Sequence, residues 1–230
     1  MSDEARVYSQ SGDRIETVAP VSVRRYGPWT RVNHWLTASC LILLLVSGLG
    51  FFYPSLFFLT SLFGGGQTAR MLHPWLGVLL VVSFLGLFLR MARLNLPRRE
   101  DATWLAHAND MLNGHEERLP ELGKYNAGQK FVFWAMTGLI LVLVVSGVMM
   151  WEQYFDRLVP IPARRVATIV HSIAAVLIIC VFILHVYAAI WTRGTISAMT
   201  RGTVTGGWAW RHHRKWLREL ARLDRAGPAK

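Results

Sequence analysis

Val166–Thr192 reads VATIVHSIAAVLIICVFILHVYAAIWT, an uncharged apolar run that carries two histidines, His171 and His185, fourteen positions apart. At about 100° and 1.5 Å per residue, fourteen steps of an α-helix return a side chain to within roughly 40° of its starting direction and about 21 Å along the axis. One helix long enough to cross a bilayer can therefore present two imidazoles on one face, at two different depths. Histidine at membrane depth is costly, so these two positions are functional candidates, and a neutral imidazole is a good metal ligand.

Three further stretches have the same character. Arg31 and Arg70 enclose no Asp, Glu, Lys or Arg, and the most helix-like part of that interval runs from about His34 to Tyr53; the others are Met71–Leu89 and Phe131–Trp151. Each meets or nearly meets the roughly 20 residues needed to cross a hydrocarbon core about 30 Å thick. With 53% apolar residues and only 17% charged, the chain reads as an all-α integral membrane protein, a bundle of four helices. Three segments follow: 1–30 before the bundle, 31–192 forming it, and 193–230 as a basic tail. The first thirty residues are polar and show no apolar core with a small-residue cleavage site, so the first span is expected to stay in the mature chain.

The basic residues orient the bundle. Arg24, Arg25 and Arg31 precede the first span; Arg90, Arg93, Arg98, Arg99, Arg118, Lys124 and Lys130 lie between the second and third; Arg193, Arg201 and a dense set from Arg211 to Lys230 follow the fourth. The two opposite connections carry only Arg70, and Arg157, Arg164 and Arg165. The positive-inside rule places both termini and the middle connection in the cytoplasm. Topology thus accounts for the net charge of +11, which is not read as a nucleic-acid footprint. The tail RHHRKWLRELARLDR is expected to form a short amphipathic helix on anionic lipid.

On this topology the histidines fall into couples. His34 and His185 lie at the cytoplasmic ends of the first and fourth helices, whereas His73 begins the second helix on the outer side and His171 lies about a turn into the fourth on that side. Topology drawn from arginines and lysines has sorted four histidines into two level pairs, which points to two bis-histidine haems stacked across the membrane. A single histidine at a helix end commonly only bonds a carbonyl or a lipid head group; the pairing is what argues against that for these four. His107, His115, His212 and His213 fall in polar cytoplasmic segments and are expected to be solvated. Cys40 and Cys180 lie in separate spans as small packing residues, and neither sits in C-x-x-C-H, which excludes covalent haem attachment. Gly48, Gly77, Gly86, Gly138 and Gly147 allow close approach of helices or of a flat macrocycle. The first and third spans end in similar phrases, VSGLGFFY (Val46–Tyr53) and VSGVMMW (Val145–Trp151), while His73 and His171 head the spans that follow, a faint two-helix repeat in which Phe133 stands near the counterpart of His34.

Four elements of the chain resemble the cytochrome b, or gamma, subunit of membrane-bound formate dehydrogenases: RVNHW around His34, MLHPWLG around His73, KYNAGQK at Lys124–Lys130, and the His171/His185 pair. They extend from the first span to the last. The histidine spacing is shared in part with cytochromes of nickel–iron hydrogenases and thiosulfate reductases, and KYNAGQK is the more distinctive element.

The resemblance implies two haem b groups, the outer ligated by His73 and His171 and the cytoplasmic one by His34 and His185. It also implies a quinone, menaquinone or ubiquinone, bound beside the cytoplasmic haem by Asn126, Gly128 and His185. Asn126 has donor and acceptor groups for a quinone oxygen, although Asn-Ala-Gly by itself reads as a turn before a helix. The implied setting is the bacterial inner membrane: an iron–sulfur (beta) subunit receives electrons from a catalytic (alpha) subunit that oxidises formate at molybdenum or tungsten, and this chain reduces the quinone without itself oxidising formate, in a complex that can assemble further into oligomers. A hydrogenase or another respiratory reductase as the partner is the alternative, and a haem-free transporter or scaffold is the alternative of another class. The outer connection Pro54–Leu72 is apolar enough to lie in the interface or under another subunit, and Glu152–Arg165 is a second docking candidate. A short helix is expected near Ala102–Leu112.

Overall fold

The computed structural model describes residues 8, 13–18, 21–107, 109–110 and 119–226. Four helices are long and apolar enough to cross a membrane: α1 (Pro28–Phe52), α2 (Gly66–Met91), α4 (Ala127–Met150) and α6 (Ile161–Trp191). In hydrocarbon every backbone N–H and C=O must be paired within the protein, and a continuous helix does this within one segment. Each helix starts a few residues before the apolar run read from sequence, so His73 lies about two turns into α2 and His171 well inside α6 rather than near their starts. Pro74, inside α2, cannot donate to the carbonyl of Arg70 and marks a break in the hydrogen-bond ladder beside His73. The connection after α1 is a 3₁₀ helix, Pro54–Phe63, with Phe57, Phe58 and Leu62 exposed, and Gly64 closes it with φ of 84°.

The chain divides into two units. The helical unit comprises Asn33–Phe88 and Trp134–Val186. Its centre is Cys40, Leu41, Leu80, Ile140 and Ile178, while Leu43, Val82, Leu141, Ile169 and Ile173 point outward. Outward-facing aliphatic side chains suit lipid, and polar side chains turn inward: Asn33 donates to the Ser83 carbonyl at 2.8 Å and Thr37 to the Ser83 hydroxyl at 3.1 Å, joining α1 to α2. Cys40 is buried in this centre, whereas Cys180 is exposed on α6 and is not a core residue.

The second unit comprises Met1–Val32, Leu89–Phe133 and Tyr187–Lys230. It holds a three-stranded antiparallel sheet, β1 (Arg14–Val18), β2 (Val21–Arg24) and β3 (Thr203–Thr205), in that order, with Val23 opposite Val204. Around it lie α3 (Arg99–Ala106), α7 (Thr195–Thr200), α8 (Gly206–His212) and α9 (Arg214–Ala226). A four-residue helix, α5 (Glu152–Phe155), belongs instead to the helical unit. The short helix expected near 102–112 is α3; residues 108 and 111–118, including His115, lie outside the described residues.

The tail does form an amphipathic helix, α9, but its apolar face is not left for lipid. Trp216 and Leu220 are buried with Tyr8, Val23, Leu94, Tyr125, Val204 and Trp208. His213 is likewise buried, 1% exposed, rather than solvated: its ring meets the Gly123 carbonyl at 2.7 Å. Burial, reinforced by the Arg25 guanidinium, holds it well below the usual histidine range, so it is neutral and donates Nδ1–H to that carbonyl.

Candidate haem site

The four sequence-selected histidines all lie in the helical unit, and the structure brings them together as two pairs. His34 on α1 faces His185 on α6 with ring centroids 6.3 Å apart and planes at 49°. His73 on α2 faces His171 on α6 with centroids 6.4 Å apart and planes at 62°. A metal–imidazole bond is about 2 Å long and a ring nitrogen lies about 1 Å from its ring centre, so two imidazoles bracketing one metal have centroids roughly 6 Å apart. Both pairs have that separation.

Among the described residues no group of three or more His, Cys, Asp or Glu converges on one point. Each pair therefore offers two donors, too few for a bare ion with four or more protein ligands, and the number needed by an iron whose four equatorial positions are filled by a porphyrin. The donor set fits haem on chemistry as well as on spacing.

The surroundings of the pairs differ. Ser47 Oγ lies 2.7 Å from His73 Nδ1, and Ser146 Oγ lies 2.9 Å from His171 Nδ1. The glycine after each serine lies against the same ring: a Cβ on Gly48 would stand 3.6 Å from His73 Cε1, and one on Gly147 would stand 3.4 Å from His171 Cε1, both at contact distance. The repeated VSG phrases are thus two copies of one cradle, each holding a histidine of the following membrane helix. Among the described residues His34 has no such serine, and its buried Nδ1 has no hydrogen-bond partner.

The comparison with known proteins decides the family. A model of prokaryotic cytochrome b561 matches residues 25–202. The chain belongs to the prokaryotic cytochrome b561 family. As a cytochrome b it is a haem b protein, and its four apolar helices make it an integral membrane protein. This b561 chain is 44% identical over 199 residues to the formate dehydrogenase cytochrome b556(fdo) subunit of Escherichia coli strain K12, covering 86% of this chain and 93% of the relative. It is 37% identical to the nitrate-inducible cytochrome b556(Fdn) subunit of the same strain over 84% of this chain and 89% of the relative, and 34% identical to the formate dehydrogenase cytochrome b556 subunit of Haemophilus influenzae over 92% and 90%.

Asn126 and Gly128 belong to the second unit. Asn126 caps α4: its Oδ1 accepts from Gln129 N at 2.8 Å while Gln129 Oε1 accepts from Asn126 N at 3.1 Å, a reciprocal capping box. The carbonyl end of Asn126 is thus engaged, and its Nδ2 remains to donate. A Cβ on Gly128 would stand 3.4 Å from Trp104 Cη2, so the close approach this glycine permits is to the indole of α3.

Sequence reasoning missed what fixes the loop before α4. Lys124 is buried and paired with the buried Asp13 at 2.6 Å, and Trp216 Nε1 donates to the other Asp13 oxygen at 3.1 Å. Arg25, 2% exposed, donates to the Lys124 carbonyl and lies among the rings of Tyr26, Tyr125, Trp208 and Trp216, 5.0 to 5.8 Å from each centroid. Burial pushes Lys124 below the usual lysine range and Asp13 opposes it. The basic KYNAGQK motif could have signalled the pair only if its acidic partner, over a hundred residues earlier, had been known to lie close.

Proposed function

We propose that this chain is the membrane cytochrome b subunit of a formate dehydrogenase complex, holding two haem b groups and reducing a quinone. The observation that carries the reading is the pair of histidine couples at 6.3 and 6.4 Å. His73 and His171 hold one haem, His34 and His185 the other. Haem b bound there supplies reversible one-electron chemistry at iron, at two depths of the membrane.

The chain's own residues do the rest. The imidazoles of His34, His73, His171 and His185 would hold the haems through ring nitrogen, and the aliphatic side chains of α1, α2, α4 and α6 keep water from the span. By the distribution of arginine and lysine, both termini and the 90–130 connection face the cytoplasm of a bacterial inner membrane, with His73 and His171 toward the outer face. An iron–sulfur subunit fed by a molybdenum or tungsten catalytic subunit docks on that face, where the exposed Phe57, Phe58 and Leu62 offer an apolar surface. Quinone binds at the cytoplasmic side, with Asn126, Gly128 and His185 as its proposed contacts: Asn126 Nδ2 donates to a quinone oxygen, and reduction to the quinol takes two electrons and two cytoplasmic protons. The relatives' names favour a formate-oxidising partner over a nickel–iron hydrogenase.

Purification of the complex through a tag on this chain tests the reading. Co-purification with a molybdopterin catalytic subunit, together with formate-dependent quinone reduction, is expected. A nickel–iron partner, or quinone reduction that formate does not drive, contradicts it.

A further inference from the structure

Ser47 and Ser146 are 0% and 2% exposed, and each sits one helix before a histidine whose Nδ1 it touches. A serine hydroxyl has one proton to give. Ser47 Oγ lies 2.8 Å from the Leu43 carbonyl, four residues back on its own helix, and Ser146 Oγ lies 2.6 Å from the Val142 carbonyl, again four residues back. A carbonyl can only accept, so in both places the proton goes to the helix backbone. The hydroxyl oxygen then has only lone pairs to offer the imidazole, and the bond at 2.7 or 2.9 Å is donated by Nδ1–H; at His171 the Leu143 carbonyl is a second acceptor beside Ser146. A neutral imidazole protonated at Nδ1 carries its free lone pair on Nε2.

We propose that Ser47 and Ser146 are positioning residues that hold His73 and His171 as Nδ1–H tautomers, present Nε2 to the haem iron, and lower that haem's potential. The inference rests on the assignment of His73 and His171 as axial ligands. A hydrogen bond accepted from the distal N–H raises the basicity of the ligating nitrogen, which favours the ferric state. Serine alone explains neither contact, because bonding the carbonyl four residues back already satisfies a hydroxyl in an apolar helix. The arrangement occurs twice, on α1 toward α2 and on α4 toward α6, each time followed by a glycine that lies against the ring. Because among the described residues no serine is hydrogen-bonded to the ring of His34 or of His185, the effect is confined to one of the two haems.

The test is a redox titration of the purified complex, monitored by visible and electron paramagnetic resonance spectra, with His171→Ala identifying which potential belongs to which pair. Ser47→Ala and Ser146→Ala are expected to keep both haems, to raise the potential of the His73/His171 haem, more in the double variant, and to leave the other potential in place. Ser146→Thr, which restores a hydroxyl, is expected to return the potential toward the native value. Alanine variants with both haems bound and both potentials unchanged overturn the proposal. Should an alanine variant lose the haem, the threonine variant decides: a haem retained at near-native potential supports the role of the hydroxyl, and loss there as well contradicts it. An unaltered His73/His171 haem in His171→Ala would instead break the ligand assignment.

Discussion

The helical unit and the sheet-containing unit expose opposite things. In the first, Leu36, Ile42, Val82, Leu141 and Ile173 face outward, and the buried polar groups Thr37, Ser47, Ser83 and Ser146 all bond within the helices or to a histidine. In the second, Val23, Trp208, Trp216 and Leu220 face inward around a buried Asp13–Lys124 pair, and charges such as Arg14, Arg201 and Arg211 are on the surface. One chain is built for two solvents. Lipid removes the hydrophobic drive to bury leucine, so the helical unit carries aliphatic side chains on its surface as well as around Cys40, Leu41, Leu80, Ile140 and Ile178; the other unit gathers its apolar side chains in a water-driven core.

The sharpest way to break this comparison is to remove a ligand. His73→Ala is expected to halve the haem content, leaving the His34/His185 haem in place, and His34→Ala to do the converse; pyridine haemochrome analysis against protein mass reads both. Equal loss of both haems in either variant would show that the pairs are not separate sites.

Asp13→Ala is expected to act on the other unit. It leaves the Lys124 ammonium buried without its partner, at a cost of about 3–5 kcal/mol, and Trp216 without its acceptor. Hydrogen exchange in Arg214–Ala226 should accelerate strongly while the haem spectrum of the helical unit persists. Unchanged exchange would mean the ion pair contributes little to that core.

Acid should separate the units more gently. Burial lowers the pKa of His213, so below the unfolded value of about 6.5 the unfolded chain binds a proton that the folded chain refuses. The contribution of His213 is therefore complete above about pH 6.5 and is lost as the pH falls below it. Exchange in α9 should rise on going from about pH 7.5 to about pH 5.5, and His213→Gln should flatten that dependence.

The smallest effect concerns Asn126. Asn126→Ala removes a helix cap worth about 1 kcal/mol and the proposed donor to quinone. Slower quinone reduction with unchanged haem content is expected, and native quinone kinetics would reject the contact.

How much of this was readable in advance follows from the same contrast. A membrane helix announces itself locally, as an uncharged run of sufficient length, so α1, α2, α4 and α6 and their histidines could be found without any tertiary information. The helices start earlier than their apolar runs because Gly66–Arg70 and Ile161–Arg165 contain arginines, which end an apolar run without ending a helix. The sheet-containing unit is held by partners distant in sequence: Asp13 with Lys124 and with Trp216, Arg25 with Lys124, Val23 with Val204. No local periodicity encodes those contacts, which is why His213 read as solvated and α9 as a lipid-facing helix. The VSG phrases were visible as a repeat, but their meaning required the ring that each serine meets.

The paired-histidine assignment stands or falls on haem counted per chain. A reduced-minus-oxidised spectrum of the purified protein, calibrated against protein mass, is expected to show a b-type absorption band and two low-spin haems per chain. A spectrum without that band, or a single haem that survives loss of His171 and of His34 alike, would contradict it.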